Sequence, residues 1–297
     1  MSGRPWPLGQ FWVTLWGTLL VVAAALCLAV ASKSAPVIAI MAESEFVRFT
    51  VARPEASVIV LPTATTRFGF DAAGGGAPGT WQVDPVPGAV VTYRRRGARL
   101  AVRVAPPTEG ARAGVLRGAD GSARAFSETL SLTVDIAASD APVRLPIAGP
   151  MEVGTLAGGQ AGTGRGPTDL LLRARITTFG RAAFSGRSAN GQLYHVGDFE
   201  LPAGGRLLAG DAAEAAAPWY GLVMADLDSD AMRLEATAES RSLRYEKVGA
   251  PQEYEEFGVS LIDAAFSDPS VARVTLIFAV FAAAMQTIAS WLSLEKG

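Results

Sequence analysis

With 297 residues, 49% of them apolar and 18% charged, the chain is greasier than an ordinary soluble domain. Its net charge of −2 argues against a nucleic-acid partner, because phosphate binding needs a positive surface. The lone cysteine, Cys27, lies in the first apolar stretch, so the rest of the chain can form no disulfide and no metal site built on thiolates.

Residues 1–10 lead into Phe11–Ala31, an uncharged apolar stretch. At about 1.5 Å per helical residue it reaches across the roughly 30 Å hydrocarbon core of a bilayer. Ala29-Val30-Ala31 before Ser32 has the small-x-small form of a signal-peptidase site. The stretch is longer than the h-region of a cleaved signal, so an uncleaved signal anchor over 11–31 is expected, with cleavage left open. Arg4 precedes the segment, and Glu43 and Glu45 follow Lys33 beyond it, which predicts a cytoplasmic N-terminus. Trp6, Trp12 and Trp16 suit the membrane interface.

From Glu43 to about Ser267 the pattern is that of short strands bounded by Gly, Pro, Asn and Asp. Phe46–Val51, Ser57–Leu61, Ala89–Arg94, Arg99–Val104 and Thr129–Ile136 fit before residue 150. Leu170–Thr177, Gln192–Val196, Gly221–Ala225 and Met232–Ala238 fit after it. The expected fold is an all-β exported region, antiparallel and sandwich-like, flanked by transmembrane helices at both ends. The glycine-rich stretch Met151–Thr168 reads as a linker or long loop between an exported module over 32–150 and a second over 169–268. One larger sandwich with that stretch as an excursion is the alternative. Leu145-Pro146-Ile147-Ala148-Gly149 is echoed by Leu201-Pro202-Ala203-Gly204.

Several constellations invite chemistry. Trp81, Tyr93, Trp219 and Tyr220 are the rings that would stack on a sugar, with Trp81, Trp219 and Tyr220 the candidate glycan contacts; Trp219-Tyr220 after Pro218 opens an apolar strand, so at least one of those two rings is expected in the core. Arg94, Arg95, Arg96, Arg99 and Arg103 crowd one expected hairpin as a solvated basic face or tip, a candidate contact for an acidic partner. Twenty-three of the 26 basic residues are arginine, however, and such a coding bias explains isolated arginines without special chemistry. Gly159 to Gly166 lacks the Lys-Ser/Thr of a phosphate loop. His195 is the sole histidine, and no Gly-x-Ser-x-Gly elbow accompanies it. Asp226, Asp228 and Asp230 have the spacing of a calcium loop, but Ala231 replaces its turn glycine and Thr237 its closing glutamate. A hairpin turn explains them more simply. Glu255 and Glu256 are adjacent, so on a strand they point apart and cannot oppose one another across a scissile bond.

Val274–Leu292 is the second apolar stretch, giving a transmembrane helix over 271–292 and a cytoplasmic tail over 293–297. Ala279, Ala283 and Thr287 recur every fourth residue, the spacing that lets helices approach closely, and Gln286 is polar beside them. These four residues are the candidate membrane contacts for a partner protein. The functional expectation is a non-catalytic accessory or scaffold protein of a bacterial envelope complex in the inner membrane, its β region in the periplasm and both termini in the cytoplasm, with no cofactor and no metal. A membrane-tethered carbohydrate-binding module is the alternative, and a hydrolase using His195 the third reading.

Overall fold

The computed structural model describes residues 17–18, 36–68, 79–139, 141–155, 169–181, 193–210, 218–240, 243–247, 254–257, 263 and 267–294. The strands, in chain order, begin with β1 (Val37–Ser44), β2 (Phe46–Thr50), β3 (Ile59–Phe68), β4 (Gly79–Pro85), β5 (Val90–Arg96) and β6 (Arg99–Ala105). They continue with β7 (Gly114–Gly118), β8 (Ala123–Phe126), β9 (Leu130–Asp135), β10 (Val143–Ala148), β11 (Met151–Val153) and β12 (Leu171–Arg181). The last are β13 (Leu193–Leu201), β14 (Arg206–Ala209), β15 (Tyr220–Ala225), β16 (Met232–Glu239), β17 (Leu243–Glu246) and β18 (Tyr254–Phe257). One long helix, α1 (Pro269–Leu294), follows.

All nine strands expected from the sequence are present, though β3 runs seven residues and β13 five residues past the expected ends at Leu61 and Val196. They belong to two sheets, one ordered β10-β15-β16-β1-β12-β13 and the other β18-β17-β14-β11-β2-β5-β6-β9-β3-β4-β7-β8. The pairings with a described register are antiparallel, among them β1 with β16, β5 with β6 and β15 with β16. Alternation builds the core: Leu100, Val102 and Val104 of β6 are fully buried while Arg99, Ala101 and Arg103 face out. β16 does the same with Met232, Leu234, Ala236 and Ala238 inward. Side chains of both sheets merge into one hydrophobic cluster, the arrangement of a sandwich.

The expected partition into two modules does not describe the strand pairing. β1 lies beside β16 and β10 beside β15, so strands from either side of residues 151–168 share a sheet. Met151–Val153 is itself a strand, held between β2 and β14; residues 156–168 lie outside the described set. Residues 37–178 and 197–258 form one compact unit, and residues 1–36, 179–196 and 259–297 form another.

Two tyrosines tie the sheets of the larger unit together. Tyr93 on β5 donates its hydroxyl to the carbonyl of Pro146 on β10 at 2.8 Å, and Tyr245 on β17 donates to that of Pro202, just past β13, at 2.9 Å. Both halves of the Leu-Pro echo therefore serve the same purpose. A proline carbonyl at the edge of the six-stranded sheet receives a buried phenol that needs a partner. β3 bends at Thr63, whose φ is +50°, and its register shifts there. Its first part pairs with β4 and its last four residues with β9, which is what an inserted residue does to a ladder.

Candidate functional site

The basic hairpin is less basic on its surface than its composition implies. On β5, Val91, Tyr93 and Arg95 share the inward parity, and Arg95 is only 2% exposed. Its Nε donates to Gly97 O and its Nη1 to Ala231 O, both at 3.0 Å, so the guanidinium joins the β5–β6 turn to the β15–β16 turn. Burial pulls the Arg95 pKa down, against the pull of Asp226 and Asp230. Arg94 pairs with the buried Asp169, and Arg96 lies 4.0 Å from the same carboxylate. Thr155 N and Oγ1 both donate to Asp169 O, at 2.8 and 3.0 Å, which draws together the two ends of the glycine-rich stretch. Arg99 and Arg103 are exposed, as expected. The expected basic face is thus corrected: Arg95 is interior, and Arg94 and Arg96 turn toward an acid of the same body.

The aromatic candidates separate similarly. Trp219 is fully buried, so it offers no platform to a sugar. Its Nε1 has no hydrogen-bond partner among the described residues. Trp81 is half-buried, and its Nε1 donates to Ala64 O at 3.0 Å. Tyr93 is buried, and Tyr220, at 42% exposure, is the one of the four rings that lies open. His195 is exposed on β13 and meets Phe179 edge-on, 6.2 Å between centroids. Asp226, Asp228 and Asp230 form the β15–β16 turn, in which Asp226 Oδ1 accepts from Asp228 N at 3.1 Å. Among the described residues no group of three His, Cys, Asp or Glu is placed to hold a metal ion.

What the fold does bring together is a charged face. The outward side chains of β1, β12, β13 and β16 line an open groove of about 700 Å³, which includes Met41, Glu43, Arg173, Arg175, Glu200, Arg233 and Glu235. Glu43 pairs with Arg173 and lies 3.9 Å from Arg233 Nε, and Arg175 reaches Asp198 at 2.8 Å. Hydrogen bonding to Glu43 raises Arg173, and hydrogen bonding to Asp198 raises Arg175. Buried Ala42, Ala174, Leu201 and Leu234 form its floor, but the groove is open and rimmed by a paired ladder of both signs with Met41 59% exposed beside it, unlike the enclosed apolar cavity of a small-molecule pocket. It has the character of a polar contact surface. The sequence showed Arg173/Arg175 and Arg233/Glu235 at alternate positions, but only the placing of β1 between β16 and β12 sets Glu43 among them.

The membrane candidates lie on α1. Ala279, Ala283, Gln286 and Thr287 are exposed, with Leu276, Ile277, Val280 and Phe281 exposed beside them. Thr275 Oγ1 donates to Val271 O and Thr287 Oγ1 to Ala283 O, each at 2.9 Å, so both hydroxyls are satisfied within the helix. Among the described residues no helix is long and apolar enough to cross a membrane. The side chains from 288 onward, which complete the apolar stretch, are outside that description, as is 11–31 apart from Gly17 and Thr18.

Comparison of the chain with family models, with curated proteins and with solved structures finds no match.

Proposed function

We propose that this chain is an inner-membrane protein of a bacterial envelope, held by segments near both ends, whose β body serves as a non-catalytic scaffold for a protein partner. The observation that carries the reading is the surface of α1. Leu276, Ile277, Val280 and Phe281 are 65%, 67%, 63% and 47% exposed on consecutive turns of a 26-residue helix. Burying one such side chain is worth about 1.5–3 kcal/mol, so leaving four this far open to water forgoes roughly 4–8 kcal/mol. At about 1.5 Å per residue the helix is roughly 39 Å long, enough for a bilayer core with its interfaces. The internally bonded hydroxyls of Thr275 and Thr287 suit the same surroundings, where water is absent as a partner.

For the scaffold role the support is the ladder on β1, β12 and β16, a solvated surface of both signs that favours a polar protein partner over a sugar or an acyl chain. Burial of Trp219 removes the strongest motive for the glycan reading. In the membrane, Ala279 and Ala283 leave room for a partner helix.

The test takes the full chain in its native membranes. It should resist extraction by alkaline carbonate, and a reporter fused after Gly297 should be active on the cytoplasmic side. Cross-linking should then recover a reproducible membrane partner, lost on Ala279→Leu with Ala283→Leu. Release by carbonate, or a C-terminal reporter active outside, refutes the topology. A protein that yields no partner refutes the scaffold.

A further inference from the structure

The end of β12 and the start of β13, Phe179–Arg181 and Leu193–Val196, belong to the same compact unit as residues 259–297, which hold α1. Gly180 lies directly beneath the ring of Tyr194, where a Cβ would come within 2.3 Å of Cζ, and Phe179 meets His195 edge-on. Tyr194 thus covers Gly180 while Phe179 and His195 pair across the two strands, and Leu193 stands 48% exposed where β13 begins. The carboxylate of Asp268, the residue before α1, is close enough to Tyr194 to contribute to the raised pKa of its phenol, which burial pushes up first. Asp268 O accepts from Ala272 N at 3.1 Å as the helix begins, and Arg273 is exposed in its first turns.

We propose that the end of β12, the start of β13 and the first turns of α1 form one pad that rests in the headgroup region of an anionic phospholipid bilayer, with Phe179, Leu193, Tyr194 and His195 at the boundary with the acyl chains and Arg273 on lipid phosphate. The inference rests on the membrane reading of α1 and adds a second contact between the exported chain and the lipid. Two properties select lipid as the occupant. Tyr and His combine an apolar body with a polar edge, the combination enriched where hydrocarbon meets water. A cation in the first turns of a spanning helix sits at phosphate depth, where negative lipid attracts it. A strand end in plain water would gain nothing from displaying Leu193.

Fluorescence depth measurement on the full chain in nanodiscs of phosphatidylethanolamine and phosphatidylglycerol tests this. On a Cys27→Ser background, Leu193→Cys, Val280→Cys and Met41→Cys are labelled with an environment-sensitive dye. The Leu193 position should be quenched by nitroxide placed near the lipid headgroup, and its quenching by iodide should fall several-fold below that at Met41. The Val280 position should be quenched by nitroxide deep in the acyl chains. If Val280 is quenched by lipid while Leu193 is as open to iodide as Met41, the pad is wrong and the membrane reading of α1 stands. If Val280 is not quenched by lipid, both fall. A Leu193 label shielded from lipid and iodide alike is covered by protein, and that also overturns the proposal.

Discussion

Replacing Arg95 separates the worth of its charge from the worth of its bulk. The guanidinium is almost wholly buried, donates to Gly97 O and Ala231 O, and among the described residues has no carboxylate in direct contact. Each hydrogen bond from a charged donor is worth about 1.5–3 kcal/mol net, together roughly 3–6 kcal/mol. Against this stands a desolvation cost of several kcal/mol for the ion, so the residue as a whole contributes little net stability. Arg95→Met retains most of the stem, abolishes the desolvation cost and orphans Ala231 O at about 1–3 kcal/mol, for an expected loss of about 1–2 kcal/mol. Arg95→Lys keeps the charge buried, but a single ammonium cannot serve two carbonyls approached by different arms of the fork, so about 2–4 kcal/mol should be lost. Arg95→Ala adds a void and should cost about 3–5 kcal/mol. Urea titration of the detergent-solubilised full chain, followed by tryptophan fluorescence with the slope checked for constancy, gives these differences. A lysine variant within about 0.5 kcal/mol of the parent, or a methionine variant worse than the lysine one, would refute the claim that desolvation nearly cancels the hydrogen bonds.

Three further outcomes follow from the packing. A Cβ at Gly205 would stand 2.3 Å from the Tyr245 ring, so Gly205→Ala should displace the ring from Pro202 O and lose about 2–4 kcal/mol, against about 1 kcal/mol for Tyr245→Phe, by the same titration. Trp219→Phe should cost far less than the roughly 3–5 kcal/mol of Trp219→Ala, because the indole N–H has no partner among the described residues to lose; near-equal losses would show that it has one. Burial works to raise the Asp84 carboxyl, but hydrogen bonds from Arg117 and Gln82, with the Arg117 charge, leave it lowered. The unfolded chain then takes up that proton more readily, so the contribution is present above the unfolded value near about 3.9 and is lost as pH falls through the lower folded value. Asp84→Asn should therefore flatten the acid limb of stability, by under about 1 kcal/mol for so exposed a pair; an unchanged profile refutes the assignment.

Strands with contrast between their faces were legible. β6 and β16 set apolar residues inward and charges outward, whereas β1 carries Ala39 and Met41 on its outer side, so its sequence shows no alternation. The burial of Arg95 was available from parity, since it stands two residues from Tyr93 and four from Val91 on one strand. The general bias toward arginine hid it. For Trp219 the signal was partial: Pro218-Trp219-Tyr220 opens an apolar strand, which puts one of the two rings in the core, but which one depends on what packs above it. The charged groove was illegible for a related reason, because Glu43 and Arg233 are brought together by register, and periodicity within one strand carries no information about its neighbour.

That limit decides how the chain must fold. β2, β5, β6 and β9 pair with one another within the first 135 residues, yet β1 has β16 beside it and β10 has β15. A fragment ending at residue 150 therefore keeps much of the larger sheet and loses the partners of both its strands in the smaller one. Ile38, Ile40, Leu145 and Ile147, all buried in the whole body, would stand on strands with no sheet to hold them over the core. Each buried aliphatic side chain of this kind is worth about 1.5–3 kcal/mol, so four of them amount to roughly 6–12 kcal/mol, as much as the total stability of a domain. The fragment 37–150 should give a broad, non-cooperative thermal transition and bind a hydrophobic dye, and co-expression with residues 169–258 should restore both to the behaviour of the intact body. A sharp, reversible transition from the fragment alone would mean that the first module folds by itself and that the pairing of β1 with β16 is dispensable.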